Sequence, residues 1–158
     1  MELHLIAVGR VRHDALRAAC EGYLVRLRRF VRLEVREVRE SGGRGRRPAT
    51  VQAAEAAALV AAAPDRARLI GLSRSGRTLS SEQFARQLGT WQRDARDVAL
   101  LIGGAFGLAP DLLARCEATI ALSSLTLSHE LARLVLLEQL YRACTILRGE
   151  PYHKGTPA

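Results

Sequence analysis

Short apolar runs alternate along the chain with longer segments in which apolar positions recur every three or four residues. Leu3 to Val8, the positions Leu33, Val35 and Val38, Ala67 to Leu72, Val98 to Ile102 and Ala118 to Leu122 read as strands. Asp14 to Arg29, Ala49 to Ala62, a segment opening at Ser80 and closing near Ala95, and His129 to Leu147 read as helices. Val98 to Ile102 has no polar position, the pattern of a strand covered on both faces. The second strand interleaves Glu and Arg, which predicts one exposed face. Alternation of this kind predicts the α/β class, with a parallel-rich sheet and helices on its faces. No internal repeat or low-complexity linker divides the 158 residues, so one domain spanning 1–158 is expected, with 149–158 as a C-terminal tail.

Local signals refine this outline. Asp14 or its neighbour is expected to cap the first helix, and Ser80 with Gln83 has the spacing of a capping box. Pro64 closes the alanine-rich second helix. In the third, Phe84, Leu88 and Trp91 share one face, which makes Trp91 a packing residue rather than a platform for stacked bases. Three apolar strands stop abruptly, at Ser73-Arg74-Ser75-Gly76, Gly103-Gly104 and Ser123-Ser124. Glycines at a strand's carboxyl end let backbone approach a ligand, and in open α/β sheets ligands sit at such ends. The same glycines also suit a simple tight turn. GGAFG has neither the spacing of a dinucleotide fingerprint nor the Lys-Ser/Thr of a phosphate loop. Ser128 is placed to cap the last helix.

On a helical wheel of the last helix, Ala132, Leu136, Leu137, Leu140, Ala143, Cys144 and Leu147 form one apolar stripe, the expected core face. The opposite arc mixes Leu131, Leu134, Val135, Tyr141 and Ile146 with Arg133, Glu138, Gln139 and Arg142. That arc is too apolar for a solvated surface, so a subunit interface, hence a homodimer, is expected. Gly149 and Pro151 then stop the helix.

Charge adds a partner. The chain carries a formal net charge of +8 at pH 7, which favours an anionic partner such as a phosphate backbone. Lys154 is the only lysine, and the arginines gather at Arg26, Arg28, Arg29, Arg32, Arg36 and Arg39, leading into Arg44, Arg46 and Arg47 of a Gly-rich loop. Cys20, Cys116 and Cys144 show no metal-ligand or CxxC spacing and read as reduced residues of a cytoplasmic protein. No apolar run approaches a membrane span. His4 and His13 read as structural and His129 as a helix-start residue, which leaves His153, between Tyr152 and Lys154, as the histidine of interest.

Taken together, LLIGGAFG, LSSLTLSH, LEQLYRA and the closing PYHK resemble the RlmH family of SPOUT-class methyltransferases, and the resemblance runs from LHLIAVG to PYHK. It implies an α/β trefoil knot, S-adenosylmethionine as cofactor, and N3-methylation of a pseudouridine in helix 69 of 23S ribosomal RNA on the assembled ribosome. Neither composition nor periodicity indicates a knot. The chain departs from the family pattern at Ser128, where Pro is usual, at Glu150, where His is usual, and in running on past Lys154.

Under this resemblance the cofactor residues are Leu72, Gly103, Gly104, Ser123, Ser124, Leu125, Thr126, Leu127 and Ser128, with no metal required. The catalytic residues are Tyr152, His153, Lys154 and Arg142. A base imide N3–H is protonated at neutral pH and must lose its proton before the nitrogen can attack a sulfonium methyl group in line. His153 accepts that proton, or Lys154 lowers the substrate's pKa, with Tyr152 positioning the base. Arg142 pairs with the developing anion or a phosphate, or forms a surface salt bridge. The resemblance further implies that one subunit's tail completes its partner's pocket. The alternative function is a noncatalytic, ribosome-associated RNA-binding protein.

Overall fold

The computed structural model describes residues 1–42 and 45–153, the last of them by its backbone. Five strands, β1 (Leu3–Val8), β2 (Leu33–Val38), β3 (Arg68–Thr78), β4 (Val98–Ile102) and β5 (Ala118–Ala121), form one sheet in the order β2-β1-β4-β3-β5. Every pairing is parallel. The helices are α1 (Asp14–Leu27), α2 (Pro48–Ala62), α3 (Ser81–Asp94), α4 (Pro110–Arg115) and α5 (His129–Leu147), followed by a 3₁₀ turn at Pro151–His153.

The period of two in each strand sorts side chains between two cores. Leu3, Leu5 and Ala7 of β1, with Val98, Leu100 and Ile102 of β4, pack on one face against Leu27, Leu88, Trp91 and Leu136. Ile6, Val8, Ala99 and Leu101 face the other way, against Leu59 and Leu112. Every residue of β1 and β4 is buried, as helices covering both sides of a parallel sheet require. Trp91 is 1% exposed and stands edge-on to Phe84, a core residue as its position on the wheel predicts.

The capping box forms as expected: Gln83 N–H donates to Ser80 Oγ, and the Ser80 N–H donates to Gln83 Oε1. Ser128 caps α5 by accepting from the Leu131 N–H. Gly149 follows α5 with φ +68°, the left-handed conformation its position requires. His13 occupies the cap position of α1 without a side-chain cap bond, while Asp14 lies in the first turn and pairs with Arg17 at 2.6 Å.

Four features differ from the sequence reading. β3 runs on to Thr78, because residues 73–76 leave the ladder as a bulge and the strand then resumes: Ile120 pairs with both Leu72 and Arg77. At Gly76 a Cβ would sit 2.7 Å from the Ile120 backbone, so only glycine brings the bulge that close. The six-residue α4 has Pro110 in its first turn and is too short to show a helical period in the sequence. Leu147, expected in the core stripe, is 43% exposed at the end of α5. Arg133, expected on the interface arc, is 3% exposed and reaches the carboxyl ends of β1 and β2, where it donates to Gly9 O at 2.8 Å and pairs with Glu37.

Candidate functional site

The parallel strands all end on one edge of the sheet, and beyond β3, β4 and β5 that edge opens into a cleft of about 390 Å³. Its volume lies within the usual range for small-molecule sites. Its walls are Leu72 with the bulge residues Ser73 and Arg74 of β3, the turn from Gly103 to Leu108 after β4, and Leu122, Ser123, Leu125, Thr126 and Leu127 after β5. His129 and Ala132 of α5 complete it. The 122–127 segment lies outside any strand or helix, so its N–H and C=O groups belong to no ladder. Ser123 Oγ accepts from the Leu125 N–H at 2.9 Å and fixes a turn in this segment.

The glycine turn is set by its own close packing. Gly107 N–H donates to Gly104 O at 3.0 Å, and Gly107 adopts φ +74°. A Cβ on Gly103 would lie 2.5 Å from the Gly107 carbonyl carbon. On Gly104 it would meet Glu55 Oε2 at 2.9 Å and Val8 Cγ1 at 3.1 Å. A side chain at Gly104 is therefore directed into the protein, not into the crevice. What Gly103 and Gly104 present to the cleft is backbone. Gln52 of α2 braces the turn from outside by donating to Phe106 O at 2.7 Å.

Of the nine positions expected to hold the cofactor, Leu72, Gly103, Gly104, Ser123, Leu125, Thr126 and Leu127 line the cleft. Ser124 and Ser128 do not; Ser128 spends its hydroxyl on the α5 cap. The expected cofactor positions did not include Ser73, Arg74, Phe106, Leu108 or Ala132, which line the cleft. Nothing local marks Ala132, whereas Ser73 and Arg74 directly follow the apolar run that closes at Leu72 and lie in the bulge of β3.

The tail lies elsewhere. Tyr152 packs its ring edge-on to Tyr141, with centroids 4.7 Å apart, and its hydroxyl lies 3.3 Å from both Tyr23 Oη and Glu138 Oε1. Arg142 donates to Glu138 Oε1 through Nη2 at 2.5 Å and through Nε at 3.0 Å, the salt bridge that the sequence left as one of its options. That pair holds the guanidinium's pKa above its ordinary value. Burial, reinforced by the Tyr23 hydroxyl, pushes the Tyr152 phenol well above its usual range, so at neutral pH it is a hydroxyl donor and not a phenolate. Tyr152 is thus docked on α1 and α5 rather than free. The side chain of His153 and the whole of Lys154 lie outside the described residues.

Geometry separates the two groups of residues. At 1.5 Å per residue, Arg142 lies about 20 Å along the α5 axis from His129 in the cleft wall. The chain alone does not bring Arg142 and Tyr152 to its own cleft.

Comparison with known proteins agrees with this architecture. A family model described as "Predicted SPOUT methyltransferase" matches residues 1–153. A protein of Anaeromyxobacter dehalogenans (strain 2CP-C), "Ribosomal RNA large subunit methyltransferase H", is 48% identical over 154 residues, which cover 98% of this chain and 100% of that protein. One of the same name from Paraburkholderia phymatum is 44% identical over 155 residues, covering 98% and 99%. Among solved structures, a probable methylase family protein from Haemophilus influenzae Rd KW20 superposes with a TM-score of 0.57 at 14% identity, over 99% of this chain and 72% of that one. A structure described under 2-OH methylation of C/U34 on tRNA gives 0.54 at 20%, over 94% and 98%; both are likenesses of fold. With its parallel sheet, its carboxyl-edge cleft and relatives alike over nearly their whole length, the chain belongs to the ribosomal RNA large subunit methyltransferase H family of SPOUT methyltransferases.

Proposed function

We propose that the protein transfers the methyl group of S-adenosylmethionine to N3 of a pseudouridine in helix 69 of 23S ribosomal RNA, on the assembled ribosome in the cytoplasm. The cleft carries this reading. Its walls are apolar side chains, small residues and backbone polar groups, a composition suited to an adenosine and a sulfonium, with Arg74 the one permanently charged residue lining it among the described residues. Leu72, Leu122, Leu125 and Leu127 offer apolar surface to a purine, while the backbone of 103–107 and 122–127 offers donors and acceptors. When bound, S-adenosylmethionine supplies an electrophilic methyl group. The protein's task is then to align the base and remove its N3 proton.

The tail residues are assigned that task in trans. In a homodimer joined through α5, Tyr152, His153, Lys154 and Arg142 of one subunit reach the partner's cleft, which accounts for the distance between the two groups within one chain. Leu131, 37% exposed, and the half-buried Leu134, Val135 and Ile146 supply apolar surface along the same helix. Tyr152 donates through its neutral hydroxyl, and His153 or Lys154 handles the proton or the anion that its loss leaves. The trefoil threading and the single 1–158 domain with its 149–158 tail belong to the same proposal.

Calorimetry with S-adenosylmethionine and a methylation assay on ribosomes lacking the modification test it. Micromolar cofactor binding, methyl incorporation into 23S RNA and a solution mass of twice 17.3 kDa are expected. No cofactor binding would return the protein to the noncatalytic, RNA-binding alternative.

A further inference from the structure

A second, larger cleft of about 830 Å³ opens beyond β1 and β2 on the same edge of the sheet. Four arginines, Arg10, Arg12, Arg17 and Arg39, line it together with two carboxylates, Glu37 and Glu40. Both carboxylates are engaged: the buried Arg133 pairs with Glu37, and Arg12 holds Glu40 at 3.1 Å. Arg17 is paired with Asp14. Among the described residues no carboxylate lies within ion-pair distance of Arg10 or Arg39. The cleft therefore presents two uncommitted guanidinium groups, whose planar donor forks match phosphate oxygens.

The two clefts share a wall. Gly104 lines the first and packs against Val8, and the next residue, Gly9, lines the second. Glu130 accepts from the backbone N–H groups of Arg12 and His13, at 3.1 Å each, and its neighbour His129 lines the first cleft. A strand whose target base enters the first cleft would pass its backbone over this wall into the second.

We infer that the Arg10 and Arg39 cleft binds the phosphodiester backbone of the substrate RNA beside the target nucleotide. The inference rests on the function proposed above and adds to it the place where RNA backbone is held. Both arginines are exposed, so their replacement should leave folding intact.

The test measures binding of the protein to unmodified ribosomes over a series of salt concentrations, for wild type and for Arg10→Ala with Arg39→Ala. Loss of two phosphate contacts should lower the slope of log K against log salt by about 1.5 and weaken binding at least about tenfold at low salt. Affinity for S-adenosylmethionine should stay unchanged, and Arg39→Lys should keep most of the slope. As a control, Arg93→Ala with Arg115→Ala removes the same charge from the opposite, amino-terminal edge of the sheet. An equal fall in slope for the control would assign the effect to net charge and overturn the cleft. So would an unchanged slope in the Arg10 and Arg39 variant. If the wild-type protein bound S-adenosylmethionine but not ribosomes, the RNA reading would fail, and this inference with it.

Discussion

The cleft at the ends of β3, β4 and β5 and the cluster around Tyr152 hang on the same helix, yet they are made of different material. The cleft is largely backbone, with glycines so tightly packed that a Cβ on Gly103 would collide with Gly107. The cluster is side chain: Tyr23, Glu138, Tyr141, Arg142 and Tyr152, joined by hydrogen bonds and ring contacts at the protein surface. A backbone-built pocket loses its ligand when its fold is disturbed or a larger side chain fills it. A side-chain cluster can change partners, exchanging Glu138 for a substrate group so that one charge-assisted hydrogen bond replaces another. Holding the cofactor and handling the proton are thus assigned to parts with different rigidity.

The sharpest way to break the comparison is to remove one region. Deleting residues from Tyr152 onward should lower the methylation rate by at least about 10²-fold while S-adenosylmethionine affinity changes by less than about threefold. Loss of cofactor binding would show that the two regions are one. Mixing this variant with Thr126→Trp, which fills the exposed cleft wall, should restore activity in mixed dimers, and no recovery would place the tail in cis.

Gly103→Val probes the material of the cleft. Closing the turn around a Cβ that lies 2.5 Å from the Gly107 backbone should cost about 3 kcal/mol of folding stability, read by thermal melting. Gly104→Val should cost less, since its first obstacle is the end of the Glu55 side chain. A variant at Gly103 that kept wild-type stability but lost cofactor affinity would make the residue a contact and not a packing element.

Beneath both regions, α5 buries Cys144, whose thiol is pushed up to about 11 by desolvation. The unfolded chain, with a thiol near its ordinary value of 9.0, releases its proton first. The stability contributed by the neutral thiol is full below that pH and is lost as pH rises to about 11, amounting to about 2–3 kcal/mol. Denaturant melts of wild type and Cys144→Ala between pH 8 and pH 11, in a reducing buffer, should show the wild-type decline flattened in the variant. Equal slopes would remove Cys144 as its source.

The smallest effect falls on the residue between the two regions. Ser128→Ala should cost about 1 kcal/mol through the lost cap and leave cofactor affinity unchanged. A tenfold loss of affinity with unaltered stability would return Ser128 to the cleft.

The order of the five strands and the four longer helices, the capping box at Ser80 and the abrupt strand end at Ile102 were legible in the sequence, because each depends on residues a few positions apart. Periodicity, cap chemistry and glycine placement are local; the nine cofactor positions came from the family resemblance, and seven of them line the cleft. The PYHK tail was visible through family resemblance alone, since three polar residues after a proline carry no pattern. Tertiary structure decided the rest. The order β2-β1-β4-β3-β5 juxtaposes strand ends far apart in the chain, which no local signal encodes. The direction of a Cβ at Gly104 depends on where Glu55 arrives, 49 residues upstream, and the burial of Arg133 depends on Glu37 and Gly9. Even α5, whose apolar wheel was read correctly around Leu136, Leu137 and Leu140, placed Leu147 in the open and Ala132 in the cleft wall. A helix's period sets which side chains share a face. What that face meets at each end is set by where the rest of the chain packs against it.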